Sequence, residues 1–275
     1  MLILLKILLI WFLFTSCEQP QQVNQGNSST KALSQKLVPS KWKSVSQFPV
    51  QLHYGSSFSQ AEITAIENST QNWASSTNQK IDFFDMTPSS VESKSSLDAY
   101  DDNEFGIYKL SVWPKDLPGT ALAVTQIYGN RYNIGSSSEF IEIDHADILI
   151  NFENFIFTTD DSWGYDLETV ILHEMGHFLG LYHDKSSADE SIMYPTISRY
   201  HNSREPKQKD TQEILKKYPT RPTVDAQNNF QDSQQRNTQS EPVILILELY
   251  PDGKEIIRIK KESGHEVHHQ HHPLK

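Results

Sequence analysis

The chain opens on an apolar run, residues 1–14, broken only by Lys6 and closed by Thr15 and Ser16 ahead of Cys17. A run this short, ending in small residues, reads as a signal peptide over residues 1–16 rather than a stable membrane span. Residues 17–47 are rich in Gln, Ser and Asn and poor in large apolar side chains, the composition of a flexible tether. From Phe48 the pattern changes. Residues 49–54 alternate apolar and polar with the period of a strand. Ser59, with Glu62 three positions later, is a capping-box signature that opens a helix over residues 60–75, with Ile63, Ile66, Thr70 and Trp73 on one face. Residues 81–84 and 105–113 are further strand candidates, separated by a Ser-rich, acidic loop at 87–103. A long β-like run at 141–152 then precedes a helix at 167–179. Asp166 can cap that helix, and Glu168 suits the dipole of its first turn.

Beyond Tyr218 the pattern thins. Residues 221–241 are Gln- and Asn-rich and read as a linker. Residues 243–249 and 255–261 flank Pro251-Asp252-Gly253, a turn signal that predicts a β-hairpin over 242–263. A lone hairpin is marginal in water, so it is expected to pack on the main domain or on a partner. Residues 264–275 hold His265, His268, His269, His271 and His272, a tail that either captures metal loosely or is simply polar. One main domain is therefore expected over residues 48–220.

Composition narrows the classes. With 275 residues and 37% apolar side chains, the chain suffices for one sizeable core. Its 24 basic and 35 acidic residues give a net charge of −11, which lacks the electrostatic footprint of a nucleic-acid binder. The single cysteine excludes a disulfide framework. Its position carries information: Leu13-Phe14-Thr15-Ser16-Cys17 resembles a bacterial lipobox, in which the cysteine is lipidated and becomes the mature N-terminus. That reading makes the protein an exported lipoprotein anchored to a membrane through Cys17, in the periplasm or at the cell surface. The plainer alternative is an ordinary cleaved signal peptide and a secreted product.

The helix at 167–179 carries the candidate chemistry. His173 and His177 are four apart, so both imidazoles project from one side, one turn above the other. Glu174 is rotated by one residue from His173, within reach of a metal-bound water without ligating the metal. Gly180 falls where the helix must end, and glycine tolerates the left-handed conformation that stops it. The chain can then turn and bring His183 to the same ion. Three neutral imidazoles leave one position open, the arrangement of catalytic rather than structural zinc. Five fixed positions in eleven residues should coincide by chance in roughly one chain of this length in 10⁵.

From His173 the sequence reads His-Glu-Met-Gly-His-Phe-Leu-Gly-Leu-Tyr-His-Asp, followed by Ser191-Ile192-Met193-Tyr194-Pro195. These residues resemble the metzincin metallopeptidases, with Met193 in the place of the Met-turn. Ser-Ile-Met before Pro195, the Ala146-Asp147-Ile148 strand and Asp210 ahead of a helix to Tyr218 are most similar to the matrixins. The likeness covers residues 50–218. It implies an α+β, zincin-like catalytic domain, a mixed twisted sheet packed on helices, with the C-terminal hairpin as an appendage. It also implies residues 146–152 as the edge strand on which an extended peptide pairs through its main chain. The implied function is a zinc-dependent endopeptidase that hydrolyses peptide bonds in proteins through a zinc-bound water activated by Glu174. One catalytic Zn2+ would lie on His173, His177 and His183, with Met193 as a hydrophobic base beneath them.

The sequence departs from the matrixins at Asp184, where they commonly carry Ser, and at Ile197, where they often carry Tyr. The specificity pocket is therefore not carried over. A second, structural zinc set is not apparent, and His53 and His145 read as ordinary polar residues. Asp160 and Asp161 offer either Ca2+ ligands or solvated charge. No cysteine remains for a cysteine-switch form of latency. A monomer acting on protein or peptide substrates is expected. Two other classes compete: a catalytically silent metzincin-fold surface protein that binds peptides or a partner, and a metal-buffering lipoprotein working through its tail histidines. Intact Glu174 argues against the silent binder, which has no need of the base.

Overall fold

A computed structural model describes residues 37–88, 91–160, 162–200, 202–220, 240–261 and 266–271. The signal peptide, Cys17, most of the tether, Asp161, residues 221–239, His265 and His272 lie outside the described residues. The strands are β1 (Ser40–Trp42), β2 (Val50–Tyr54), β3 (Phe84–Pro88), β4 (Gly106–Leu110), β5 (Ala123–Tyr132), β6 (Phe140–Asn151), β7 (Phe157–Thr158), β8 (Tyr165–Asp166), β9 (Glu241–Leu249), β10 (Glu255–Lys261) and β11 (Glu266–His271). The helices are α1 (Gln60–Ser76), α2 (Leu167–Phe178) and α3 (Gln208–Lys217). One mixed sheet runs β11-β10-β9-β5-β6-β4-β2-β3, with β1 also paired to β6. Strands β2, β3, β4, β6 and β1 pair in parallel, whereas β5, β9, β10 and β11 pair antiparallel. The expected α+β architecture, a mixed sheet packed on helices, is present.

Burial explains the strand patterns. In β6, Ile148 and Ile150 belong to the core beneath the helices, while Leu149 belongs to a second core on the opposite face. A strand covered on both faces has no polar side to alternate with, which is why 141–152 reads as a nearly continuous apolar run. The same cause hid β5. Residues Ala123–Tyr132 are buried through their first seven positions, so no period of two marks them.

The implied edge strand is corrected by this topology. Of residues 146–152, all but Phe152 lie in β6, whose two flanks pair with β5 on one side and with β4 and β1 on the other. It is an interior strand. The strand outside it is β5, and the outer flank of β5 is in turn occupied by β9. The hairpin read as an appendage thus continues the main sheet, and β11 adds residues from the stretch read as a tail. Ser40–Trp42, within the stretch read as tether, pairs with Ile141–Ile143, and Trp42 is only 2% exposed. A single large aromatic with a carbonyl partner, here Phe178, anchors that short strand.

Both long helices pack on one face of the sheet. The capping box at Ser59 and Glu62 forms as read: the Ser59 side chain accepts from the Glu62 amide, and the Ser59 amide donates to Glu62. Trp73 of α1 donates its indole N–H to the Leu172 carbonyl of α2 at 3.0 Å. All twelve residues of α2 are buried, as expected of a helix enclosed on every side. Its N-terminus is held by Asp166, which accepts from the Thr169 amide at 2.9 Å and the Thr169 hydroxyl at 2.6 Å. Arg204 caps the same carboxylate from outside through its Nε at 3.1 Å. Replacing Asp166 by Ala should lower stability by about 2 kcal/mol, by removing the cap and one partner of a one-third exposed ion pair. Asp166→Asn keeps the cap and should cost less than half as much. Urea midpoints of the two variants check this, and equal losses would mean that the charge, not the cap, matters.

Candidate metal centre

The centre is built where α2 ends. Gly180 has φ +86°, and its amide donates to the His177 carbonyl at 2.7 Å while the Leu181 amide donates to the Gly176 carbonyl at 2.9 Å. This left-handed exit fits glycine for a second reason. A Cβ there would lie 2.4 Å from the Ser40 carbonyl oxygen of β1. The turn returns the chain towards the helix and places His183 beside His173 and His177.

The three Nε2 atoms form a near-equilateral triangle with sides of 3.1, 3.1 and 3.2 Å. Two of the tautomers are fixed by geometry. His173 donates its Nδ1–H to the Ile192 carbonyl at 2.8 Å, and His177 donates its Nδ1–H to the Leu181 carbonyl at 2.8 Å. Their Nε2 atoms are therefore bare acceptors aimed at one point. Burial holds His173 down to about 3, with the charge of His183 adding to the effect, and the same causes hold His177 well below its ordinary value. Both stay neutral, the form that ligates. Zn–N bonds of about 2.0–2.1 Å in tetrahedral geometry put such nitrogens about 3.3 Å apart, so the donor set fits zinc. Converging lone pairs at this spacing repel one another unless a cation lies between them.

Glu174 lies beside the triangle and is fully buried. Its Oε2 is 2.5 Å from the Thr125 hydroxyl of β5, and its Oε1 has no hydrogen-bond partner among the described residues. Burial lifts the carboxyl up to about 8, against the opposing hydrogen bond from Thr125. A cation at the triangle would favour the carboxylate and act against that lift.

Met193 is 2% exposed and packs on α2 at Gly176. A Cβ on Gly176 would fall 2.2 Å from the Met193 sulfur, so the helix is glycine at the point where the methionine approaches it. Asp210 of α3 holds this turn in place. It is 2% exposed and accepts from the Ser191 hydroxyl, the Ile192 amide at 2.9 Å and the Lys207 amide at 2.7 Å. The Ile192 carbonyl is the acceptor for His173, so the chain of contacts runs from α3 through the turn to a ligand.

His173, His177 and His183 thus come together, Gly180 ends the helix, and Met193, read through family resemblance, packs on that helix at Gly176. His145 sits elsewhere, buried in β6 with its Nε2 2.7 Å from Asp147 Oδ2. Asp160 engages the Thr158 hydroxyl at 2.6 Å and the Ser162 amide at 2.9 Å. Among the described residues, His173, His177 and His183 are the group of three whose donor atoms converge. Thr125 was not singled out by sequence reasoning, because its strand carries no alternating pattern. The apolar stretch following Pro118-Gly119 was the available signal.

A family model described as matrixin matches residues 51–219, a span that contains every one of these residues. The chain belongs to the matrixin family. A 52-residue stretch is 52% identical to the Metalloendoproteinase 2-MMP of Arabidopsis thaliana, covering 17% of this chain and 13% of the length of that plant protein. High choriolytic enzyme 1, a hatching enzyme zinc-protease from the medaka fish Oryzias latipes, is similar over 64% of this chain and 92% of its own. Its identity is 15% and its TM-score 0.30, a likeness too slight to carry an argument.

In this matrixin, Asp210→Ala should leave three donors without their acceptor and cost about 3–5 kcal/mol. Because the Ile192 carbonyl orients His173, zinc affinity should also fall by about 10–100-fold. Chemical denaturation and competition with a zinc chelator measure both, and unchanged affinity would detach Asp210 from the metal centre.

Proposed function

We propose that this matrixin is a zinc-dependent endopeptidase in which His173, His177 and His183 hold the metal and Glu174 is the general base. The triangle of Nε2 atoms carries the reading, since two of them are bare acceptors with tautomers set by backbone carbonyls. Zinc in that position supplies Lewis acidity to a peptide carbonyl and to water.

The remaining work belongs to the chain. Glu174 takes a proton from the attacking water and passes it to the departing amine. Thr125 positions the carboxylate through its hydroxyl, leaving Oε1 for the proton. The enclosed helix α2 fixes Glu174 and two ligands relative to one another, so little ordering is left for the moment of reaction. Met193 closes the site from below with an apolar floor. The substrates are proteins or peptides bound in extended form.

Export and anchoring through Cys17 complete the proposal and rest on the sequence alone. In this reading the attachment is the lipid on Cys17.

Glu174→Ala should lower cleavage of a quenched peptide by about 10²–10⁴-fold while zinc stays near one per chain. Cleavage by the parent should vanish with a zinc chelator and return on adding zinc. Activity retained in Glu174→Ala would overturn the assignment of the base, and chelator-resistant cleavage would overturn the metal mechanism. In an exporting bacterial host, Cys17→Ala should abolish incorporation of labelled palmitate and move the protein from the membrane to the soluble fraction. Unchanged fractionation would sink the anchor.

A further inference from the structure

The place of β9 has a consequence for the activity proposed above. An extended peptide is recognised most simply by adding a strand to an exposed sheet edge. The strand nearest the base is β5, through the contact between Thr125 and Glu174. Its inner flank is taken by β6, so its outer flank is the edge on which a substrate backbone would pair. That edge is filled along its length. Nine consecutive residues of β5, Ala123 to Arg131, pair antiparallel with Leu249 back to Glu241, and the Leu122 amide donates to the Leu249 carbonyl at 2.8 Å.

The arm also reaches the other wall. Beyond Leu249, Tyr250 forms a parallel bridge with Thr196, three residues past Met193. The arm is thus held by β5 along Glu241–Leu249, carries β10 on its opposite flank, and meets the loop after the methionine turn at Tyr250. The side chains agree with this placement. Leu247 lies opposite Thr125 in register and belongs to the same core as Ile171, Leu172 and Met175 of α2. Leu249 is 0% exposed and packs with Val170 of α2, Ile197 of the loop, and Leu122 and Ala123. Glu174, which must meet substrate and water, is also 0% exposed.

We infer that the C-terminal arm, β9 with Tyr250, occupies the substrate groove and holds the full chain latent until it is displaced. This inference rests on the peptidase reading and adds its regulation. Residues 221–239 join the arm to the domain, so release does not require α3 to move. Covalent attachment through residues 221–239 makes the arm's pairing intramolecular, with an effective concentration on the order of 1 mM, which keeps the groove filled even if the arm's intrinsic affinity is modest. A protein substrate competes with a strand already in place.

The test keeps the full chain and cuts it only after folding. A recognition sequence for a specific processing protease is inserted within residues 221–239, and the zinc-loaded protein is cleaved there and diluted to about 10 nM, far below the tethered concentration. Hydrogen exchange of residues 123–131 and cleavage of a quenched peptide are followed in parallel. Cutting should release protection on β5 and raise kcat/KM by about tenfold or more, as expected when the open form is a minor species. Adding back the purified arm should reverse both changes. The uncut Leu249→Asp chain, with a carboxylate forced into the apolar pocket, should be active without cutting.

If β5 stays protected after cutting and dilution, or if Glu174-dependent activity is the same before and after, the arm is a fixed part of the sheet and latency is overturned. If β5 is released but neither form cleaves any peptide, the failure lies with the peptidase reading, and latency falls with it.

Discussion

Three imidazole nitrogens brought within 3.1–3.2 Å of one another set the terms for everything around them. Lone pairs at that distance are favourable only around a cation, and the protein must hold them there. It does so with backbone carbonyls rather than side-chain partners. Ile192 and Leu181 fix the rings of His173 and His177, and both carbonyls belong to segments that have left α2. The ligands are therefore only as well placed as the turn at Gly180 and the turn at Met193. Those in turn lean on β1 through Ser40 and on α3 through Asp210.

The cost of this arrangement is a helix with no exposed face. A carboxylate and two imidazoles are buried at the centre of the fold, where desolvation drives Glu174 towards its protonated form and the histidines towards neutrality. The histidines are suited by that environment, since the neutral ring is the ligand. Glu174 is not, and Thr125 is the one side chain that counters the effect of burial on it. Thr125 comes from the same strand whose outer flank receives β9, so the contact with Glu174 and the pairing with the C-terminal arm share one element.

Much of the site was legible in the sequence because it is local. His173, Glu174 and His177 need only the geometry of one helix, and Gly180 needs only the rule that ends it. His183 needed only the turn that Gly180 permits, and Met193 became legible through resemblance to a known family. The capping box at Ser59 and the hairpin around Gly253 were equally local, and both formed where they were read. What escaped notice lay where burial on both faces erases the alternation that marks a strand, as in Ala123–Tyr132. Ser40–Trp42 escaped because three residues in a polar stretch carry too little pattern.

Sequence alone pointed to the three histidines of the candidate metal centre, the helices at Ser59 and Asp166, and a hairpin near the C-terminus. Strand neighbours were another matter. Pairing joins backbone groups that every residue possesses, so nothing in residues 141–152 distinguishes an interior strand from an edge. Only the tertiary structure decided that β6 is enclosed, that β5 lies beside Glu174, and that Leu249 of the distant C-terminal arm packs with Val170 and Ile197. Helix geometry is written over four residues and can be read; the choice of partner across a sheet is set by packing between segments that can lie more than a hundred residues apart, as β5 and β9 do.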